Sequence, residues 1–304
     1  MKEEIVAVKT EAKRTTRLRR LLANPKILVA PGAYDGTGAR LVQALGFQAI
    51  YMSGFETSAS ILGEPDVGYL TMTQMTARLA TLSAIVDLPL IADGDTGYGN
   101  PLNVRRAVRE YERAGAAAMH IEDQTFPKRC GQMPGRDIIP TDEMVQKIKA
   151  AVDARQDPDF VIIARTDAIS AVGLDEALRR GEAAAEAGAD VLFIEAPRTE
   201  PQVERVARAF DTPLLYNYAP GGRSPLLPFA RLRELGFAII LLPVDTLLVA
   251  VQAIRAFLAQ AKARDDVRAL ADLYMPFGEF NELIGVTAQL ALAERYRGDD
   301  RSAT

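Results

Sequence analysis

Short apolar runs rich in strand-forming residues alternate along this chain with longer stretches whose apolar positions recur at helical spacing. The runs Ile27–Pro31, Ala49–Ser53, Leu88–Asp93, Ala117–Glu122, Phe160–Arg165, Val191–Glu195, Pro213–Asn217 and Phe237–Leu242 predict eight strands. Helices are expected near Thr37–Leu45, Thr73–Val86, Pro101–Arg113, Thr141–Arg155, Leu174–Ala187, Glu200–Phe210, Pro228–Leu235 and Val244–Ala261. Their starts carry local signals, Thr141 followed by two acids and Asn100 followed by Pro101. Several end in a glycine placed to cap the helix left-handed: Gly46, Gly115, Gly188 and Gly236. Eight βα units predict an α/β chain folded as a closed (β/α)8 barrel of TIM type, a single domain over residues 1–304. Residues 262–304 form a C-terminal extension, apolar at helical spacing but with no strand left to cover. Such an appendage packs across the barrel mouth or reaches a neighbouring subunit.

Polar residues cluster where such a barrel builds its active site. Ser53, Asp93, His120 with Glu122, Arg165 with Asp167, Glu195 and Asn217 each sit at or just past the C-terminal end of a strand. Any one of them could simply begin a solvated loop. The set, with metal-type carboxylates and anion-binding residues together, reads as a functional site. Cys130, the only cysteine, lies in Lys128-Arg129-Cys130-Gly131-Gln132, where two adjacent cations are expected to lower a thiol pKa and let it trade protons near neutrality. Asp93 and Asp95 are a carboxylate pair suited to a hard divalent metal.

Composition narrows the class. With 48% hydrophobic and 25% charged residues, the chain has the make-up of an ordinary globular protein. A lone cysteine cannot form an intramolecular disulfide, and Met1 to Arg20 lacks the apolar core of a signal peptide, so a reducing cytoplasm is expected. No apolar run approaches the ~18 residues of a membrane span, and no membrane partner is expected. The net charge of −4 and the confinement of basic clustering to Lys13–Arg20 argue against nucleic acid.

The segments Pro31-Gly32-Ala33-Tyr34-Asp35, Tyr51-Met52-Ser53-Gly54, Pro65-Asp66-Val67-Gly68, Asp93 to Gly99, His120 to Gln124, the Lys128 motif and Ile163 to Ala168 resemble, in order and spacing, the isocitrate lyase and phosphoenolpyruvate mutase superfamily. The resemblance is nearest to methylisocitrate lyase and carboxyphosphonoenolpyruvate mutase-like members. It implies a barrel whose C-terminal helix is swapped between subunits of a homodimer or homotetramer. It also implies Mg2+, with Mn2+ as an alternative, held directly by Asp95 and through water by Asp93 and Glu122. By the same resemblance Ser53, the Gly54 and Phe55 amides and Arg165 would grip the carboxylate beside a 2-oxo group, with His120, Gly131, Gln132, Glu195 and Asn217 also in the pocket. Cys130 would protonate the departing carbanion, and Tyr51 or Asp66 would manage the hydroxyl proton. Lys128 and Arg129 complete the catalytic loop, which is expected to act as a lid.

The implied activity is Mg2+-dependent carbon–carbon cleavage of a 2-hydroxy polycarboxylate: methylisocitrate or isocitrate, giving pyruvate or glyoxylate plus succinate. Alternatives on the same platform are a substituted-malate lyase, an oxaloacetate hydrolase or decarboxylase, and a phosphonate mutase, with a non-enzymatic 2-oxo acid sensor behind them. Three departures bear on the substrate. Gln132 stands where the lyase motif usually has histidine, and Gly94 stands for alanine between the two carboxylates, which is expected to loosen the backbone. The segment Leu242 to Leu248 lacks the arginine that binds a distal carboxylate, and Leu248 is the expected equivalent position.

Overall fold

A computed structural model describes residues 12–131, 135–264 and 266–297. Eight parallel strands, β1 (Leu28–Pro31), β2 (Ile50–Met52), β3 (Leu90–Asp93), β4 (Ala118–Glu122), β5 (Val161–Thr166), β6 (Val191–Ile194), β7 (Leu214–Asn217) and β8 (Ile239–Leu242), pair in sequence order, and β8 pairs with β1. A single bridge between Gly32 and Tyr51 brings the last edge together, with the Ala33 N–H donating to Tyr51 O at 3.0 Å. The result is a nearly closed (β/α)8 barrel, and all eight expected strands are present, each beginning at or within two residues of its expected start.

Two apolar layers hold the barrel. Leu28, Tyr51, Ile91, Val161, Ile163, Phe193, Leu215 and Leu241 fill its interior. Met75, Leu79, Val104, Tyr111, Ile148, Phe160, Ile162 and Leu192 join the outer strand faces to the surrounding helices. Each such side chain, fully buried, contributes roughly 1.5–3 kcal/mol. The helices are α2 (Gly36–Ala44), α4 (Met72–Ile85), α5 (Pro101–Ala114), α6 (Thr141–Ala154), α8 (Leu174–Glu186), α9 (Glu200–Arg208) and α10 (Phe229–Glu234). Thr71 with Gln74 and Asn100 with Asn103 form reciprocal capping boxes on α4 and α5, and Gly46, Gly115, Gly188 and Gly236 all have left-handed φ.

Three short helices were not anticipated: α1 (Arg14–Leu22), α3 (Gly54–Leu62) and α7 (Ala168–Ala171). The first explains the basic cluster. Leu18 is fully buried in the interior layer at the N-terminal end of the barrel, while Arg14 donates to the carbonyls of Ser83 (2.7 Å) and Val86 (2.5 Å) and Arg19 pairs with Asp190 at 2.8 Å. The cations are thus fastened to backbone and acid groups of the barrel, and α1 is its plug.

After β8 the chain departs from the outer ring. α11 (Asp245–Arg264) has no buried residue, and it exposes Leu248, Val249, Val251, Ile254 and Leu258. Beside its foot, an apolar groove of about 1080 Å3 opens between α2 and the end of β8, lined by Leu41, Val42, Leu45, Phe47 and Leu242 among others. A 3₁₀ turn (Arg268–Leu273) and the helices α12 (Phe277–Leu283) and α13 (Val286–Arg295) follow, with Arg40 of α2 donating to Leu283 O at 3.3 Å. Among the described residues α11 alone is long and apolar enough to cross a membrane by length and composition, contrary to the expectation that no segment would be. It carries Asp245, Arg255, Lys262 and Arg264.

Candidate active site

The strand ends converge at the C-terminal mouth. β2 is followed directly by Ser53, which caps α3, and the first turn of that helix lies against Asp93 at the end of β3. Asp93 accepts the Gly54 N–H on Oδ2 (3.0 Å) and the Asp95 N–H on Oδ1 (2.9 Å). The Gly54 amide, expected to meet substrate, is therefore already engaged. Burial disfavours ionisation of Asp93, yet surrounding positive groups and the bond from the Asp95 amide hold its carboxyl well below the ordinary range. The turn it secures places Asp95 at φ 47°, a left-handed conformation uncommon for a residue with a side chain and characteristic of functional sites. Gly94 in this turn is closely packed. A Cβ there would lie 2.2 Å from Met119 Cε and 2.7 Å from the His120 carbonyl, so Met119 fills the space a methyl would need.

The Lys128 loop is docked on these groups. The Lys128 ammonium is 2.6 Å from Asp66 Oδ1 and 2.6 Å from Asp95 Oδ1, and only 3% of the residue is exposed. Burial pulls that ammonium down, but Asp95, Asp66, Asp93 and Glu122 outweigh it and hold Lys128 well above its usual pKa. Burial, reinforced by Asp93 and Asp66, raises Asp95 to about 7 against the opposing pull of Lys128. Asp66 also accepts the Cys130 N–H at its carbonyl (3.0 Å), and Gln124 clamps Arg129 through both backbone groups at 2.8 and 3.0 Å. Gly131 sits where a Cβ would meet Arg165 and Glu195. Gln132 lies outside the described residues.

Arg165, at the end of β5, stacks 4.9 Å above the Phe193 ring and is 3.3 Å from Glu122. Its side edge is taken by Asp167, which accepts from Nε at 3.0 Å and Nη2 at 3.1 Å. Asp167 is itself gripped by Arg136, and Asp123 accepts from the Thr166 hydroxyl (2.6 Å), the Asp167 N–H (2.8 Å) and Arg180 (2.9 Å). This supporting layer of Asp123, Gln124, Arg136, Asp167 and Arg180 escaped the assignment of site residues. Asp123 and Gln124 stood within a recognised motif and Asp167 at a strand end, whereas Arg136 and Arg180 look in sequence like ordinary loop and helix charges.

Tyr51, Ser53, Phe55, Asp66, Asp93, Glu122, Lys128, Arg129, Cys130, Gly131, Arg165 and Asn217 line one cavity of about 420 Å3. Its remaining wall is apolar: Ala219, Pro243 and Val244. Leu248 does not line it and lies 45% exposed on α11, whereas Val244, two residues after β8, does. His120 is fully buried one layer below, its Nε2 2.8 Å from the Tyr51 hydroxyl and 3.4 Å from Asp93 Oδ1. Burial lowers its pKa to about 4, which favours the neutral ring beside the Tyr51 hydroxyl. Glu195 is likewise buried and accepts from Asn217 Nδ2 at 3.1 Å.

The acidic groups fit a cation of low protein coordination. Glu122 Oε1 is buried with no hydrogen-bond partner, and burial, opposed by Arg165, raises the Glu122 carboxyl well above its ordinary pKa. A divalent ion would relieve both Glu122 and Asp95. Among the described residues no three His, Cys, Asp or Glu side chains converge into a metal cage. That suits Mg2+, which keeps several waters and takes one or two carboxylates.

The phosphoenolpyruvate phosphomutase family profile matches residues 18–262. A 2,3-dimethylmalate lyase from Eubacterium barkeri is 48% identical over 270 residues, covering 89% of this chain and 93% of that one. A probable 2-methylisocitrate lyase from Corynebacterium glutamicum is 42% identical over 237 residues (78% and 77%). Among solved structures, a 2,3-dimethylmalate lyase superposes with a TM-score of 0.89 at 38% identity, covering 96% and 98% of the two chains. A phosphonopyruvate hydrolase in complex with oxalate and Mg2+ gives 0.86 at 34% (94% and 99%). The barrel agrees with these likenesses, and the chain belongs to the phosphoenolpyruvate mutase/isocitrate lyase superfamily, whose members here include carbon–carbon lyases, a phosphomutase family and a hydrolase.

Proposed function

We propose that this enzyme is a Mg2+-dependent carbon–carbon lyase acting on an alkyl-substituted malate of the 2,3-dimethylmalate kind. The observation that carries this reading is the cavity wall. Among the described residues the arginines lining it are Arg165 and Arg129, Lys128 is paired with Asp66 and Asp95, and the wall formed by Phe55, Ala219, Pro243 and Val244 is apolar. A tricarboxylate such as isocitrate or methylisocitrate would set a carboxylate against that apolar wall, which costs about 1–3 kcal/mol or more for a charged group. Methyl groups suit that wall.

Bound magnesium, held by Asp95 with Asp93 and Glu122 behind it, would supply positive charge at the 2-oxo acid end of the substrate. Arg165 and Ser53 hold the neighbouring carboxylate. Tyr51, supported by neutral His120, and Asp66 stand where the 2-hydroxyl proton must leave. As it leaves, C2–O becomes a carbonyl, the C2–C3 bond breaks, and its electron pair passes to C3. Cys130 delivers a proton to C3 and becomes the thiolate, which recovers a proton before the next turnover. From 2,3-dimethylmalate the products are pyruvate and propanoate. The thiol favours this over a phosphoryl shift, which needs no carbon acid. Substrate entry requires the docked Lys128 loop to swing away.

Purified protein with Mg2+ and 2,3-dimethylmalate, methylisocitrate, isocitrate, oxaloacetate or phosphonopyruvate, followed by mass identification of products, tests the assignment. Pyruvate and propanoate should dominate. Turnover confined to a tricarboxylate or a phosphonate would refute it, and binding of oxalate without turnover of any acid would indicate a sensor. A specificity variant sharpens the point: Val244→Arg should shift the kcat/KM ratio toward methylisocitrate over dimethylmalate by tenfold or more, roughly the ~1.4 kcal/mol of one charge-assisted contact. An unchanged ratio would mean the apolar wall does not select.

A cysteine outside any disulfide is consistent with a reducing cytoplasm. The occupant proposed for the groove beside α2 is α11 of a second copy. The apolar face of α11, on residues such as Leu248, Val251, Ile254 and Leu258, is unmatched within its own chain, and the groove lies where an eighth outer helix would pack. A homodimer or larger homo-oligomer in solution is the expected outcome.

A further inference from the structure

Glu56 lies in the first turn of α3, three residues past Ser53, and none of it reaches solvent. Its Oε1 is 3.0 Å from Thr246 Oγ and 3.4 Å from the Leu247 N–H, both in the first turn of α11. Thr246 Oγ is also 2.9 Å from the Gly32 carbonyl at the end of β1. That carbonyl can only accept, and a threonine hydroxyl has one proton. If Thr246 serves Gly32, the contact with Glu56 is a hydrogen bond only when the carboxyl supplies its own proton. The second oxygen, Oε2, is buried without a partner and presses on Gly32, where a Cβ would lie 2.4 Å away. An unpartnered carbonyl-type oxygen of a neutral acid is far cheaper there than an unpartnered carboxylate oxygen.

The surroundings give no counter-charge. Asp245 on α11, Asp35 capping α2 and Tyr34 before it face this carboxyl, and the nearby Arg78 of α4 donates to the Tyr34 carbonyl at 2.7 Å. Burial above all, with the charges of Asp245 and Asp35, lifts Glu56 to about 8 despite the bonds from Thr246 and Leu247. We propose that Glu56 is a protonated acid that fastens the Ser53-Gly54-Phe55 turn to the end of β1 and the foot of α11. Its ionisation in mildly alkaline solution unfastens that turn. Glu56 is thus a positioning residue, and its effect on ligand rests on the proposed role of Ser53 and Phe55 in the site.

Glu56→Gln keeps the shape and can donate to Thr246 but cannot ionise. Below about pH 4.3 the glutamate is protonated in folded and unfolded chains alike. Between there and about pH 8 only the unfolded chain ionises, so wild-type stability falls relative to the variant, by up to about tenfold in the folding constant per pH unit. Above 8 both states are ionised and the gap is constant. The Tm of Glu56→Gln minus that of wild type should therefore grow from pH 5 to 8 and then level off. Glu56→Leu, likewise unable to ionise, should show the same growth if the amide does not fold. Parallel curves for whichever variant folds would overturn the protonated acid. With Mg2+ present, oxalate affinity measured by calorimetry should fall up to about tenfold for wild type between pH 8 and 9 relative to the same variant. Affinities that track each other would overturn the positioning role. The thermal comparison uses no ligand, so failure of the lyase assignment leaves it intact.

Discussion

Asp95→Asn is expected to reduce turnover by about 10³-fold or more while the barrel stays folded. Asparagine tolerates the left-handed backbone that Asp95 adopts, so the variant removes charge without releasing the turn. It deprives Lys128 of one carboxylate while Asp66 remains 2.6 Å away, and it removes the group proposed to hold the metal directly. Asp93→Ala should behave differently. Both Asp93 oxygens accept backbone N–H groups that tie α3 to the Asp95 turn, so its loss should appear first as a lower Tm and only then as weaker Mg2+ dependence. Circular dichroism and turnover across a Mg2+ series separate the two. Near-wild-type turnover of Asp95→Asn at low Mg2+ would remove Asp95 from the metal site.

The second large effect is expected at the thiol. Cys130→Ser should lower turnover by about 10³-fold or more, because an alcohol is a far weaker acid than a thiol at the same place. Oxalate or pyruvate binding should barely change, since those ligands ask for Arg165 and Ser53 rather than for a proton. The Cys130 N–H on Asp66, the Gln124 clamp on Arg129 and the Lys128 ion pairs all remain available to the variant, so the loop should still dock. Full activity in Cys130→Ser would place the carbon acid elsewhere. Weakened oxalate binding would make Cys130 a binding residue instead.

Much of this architecture was legible in sequence because a parallel barrel writes itself as alternating apolar runs, and because its mouth collects polar residues at strand ends. Ser53, Asp93, Glu122 and Arg165 were found by place alone. What escaped has physical reasons. α3 begins Gly54-Phe55 and is rich in small polar residues, so it reads as a loop until Ser53 is seen capping it. Arg136 acts through Asp167, 31 residues further along the chain, and spacing does not reveal such a pair. Val244 and Ala219 shape the cavity by being apolar, and an apolar residue after a strand carries no signal of chemistry. For α11, periodicity marks an apolar face but cannot say whose barrel it covers. The packing at Gly94 was hidden for the same reason: the space a methyl would need is filled by Met119, a residue of the next strand.

The plug formed by α1 also bears on the order of events. With Leu18 seated in the lower end of the barrel and the interior above it packed, traffic has one route, through the mouth under the Lys128 loop. In the proposed lyase reaction the oxo acid would lie against Arg165 and Ser53, and the acid protonated by Cys130 would lie nearer the loop. A single doorway then imposes a queue: the outer acid departs first and the oxo acid last, and in the condensing direction the oxo acid must enter before its partner.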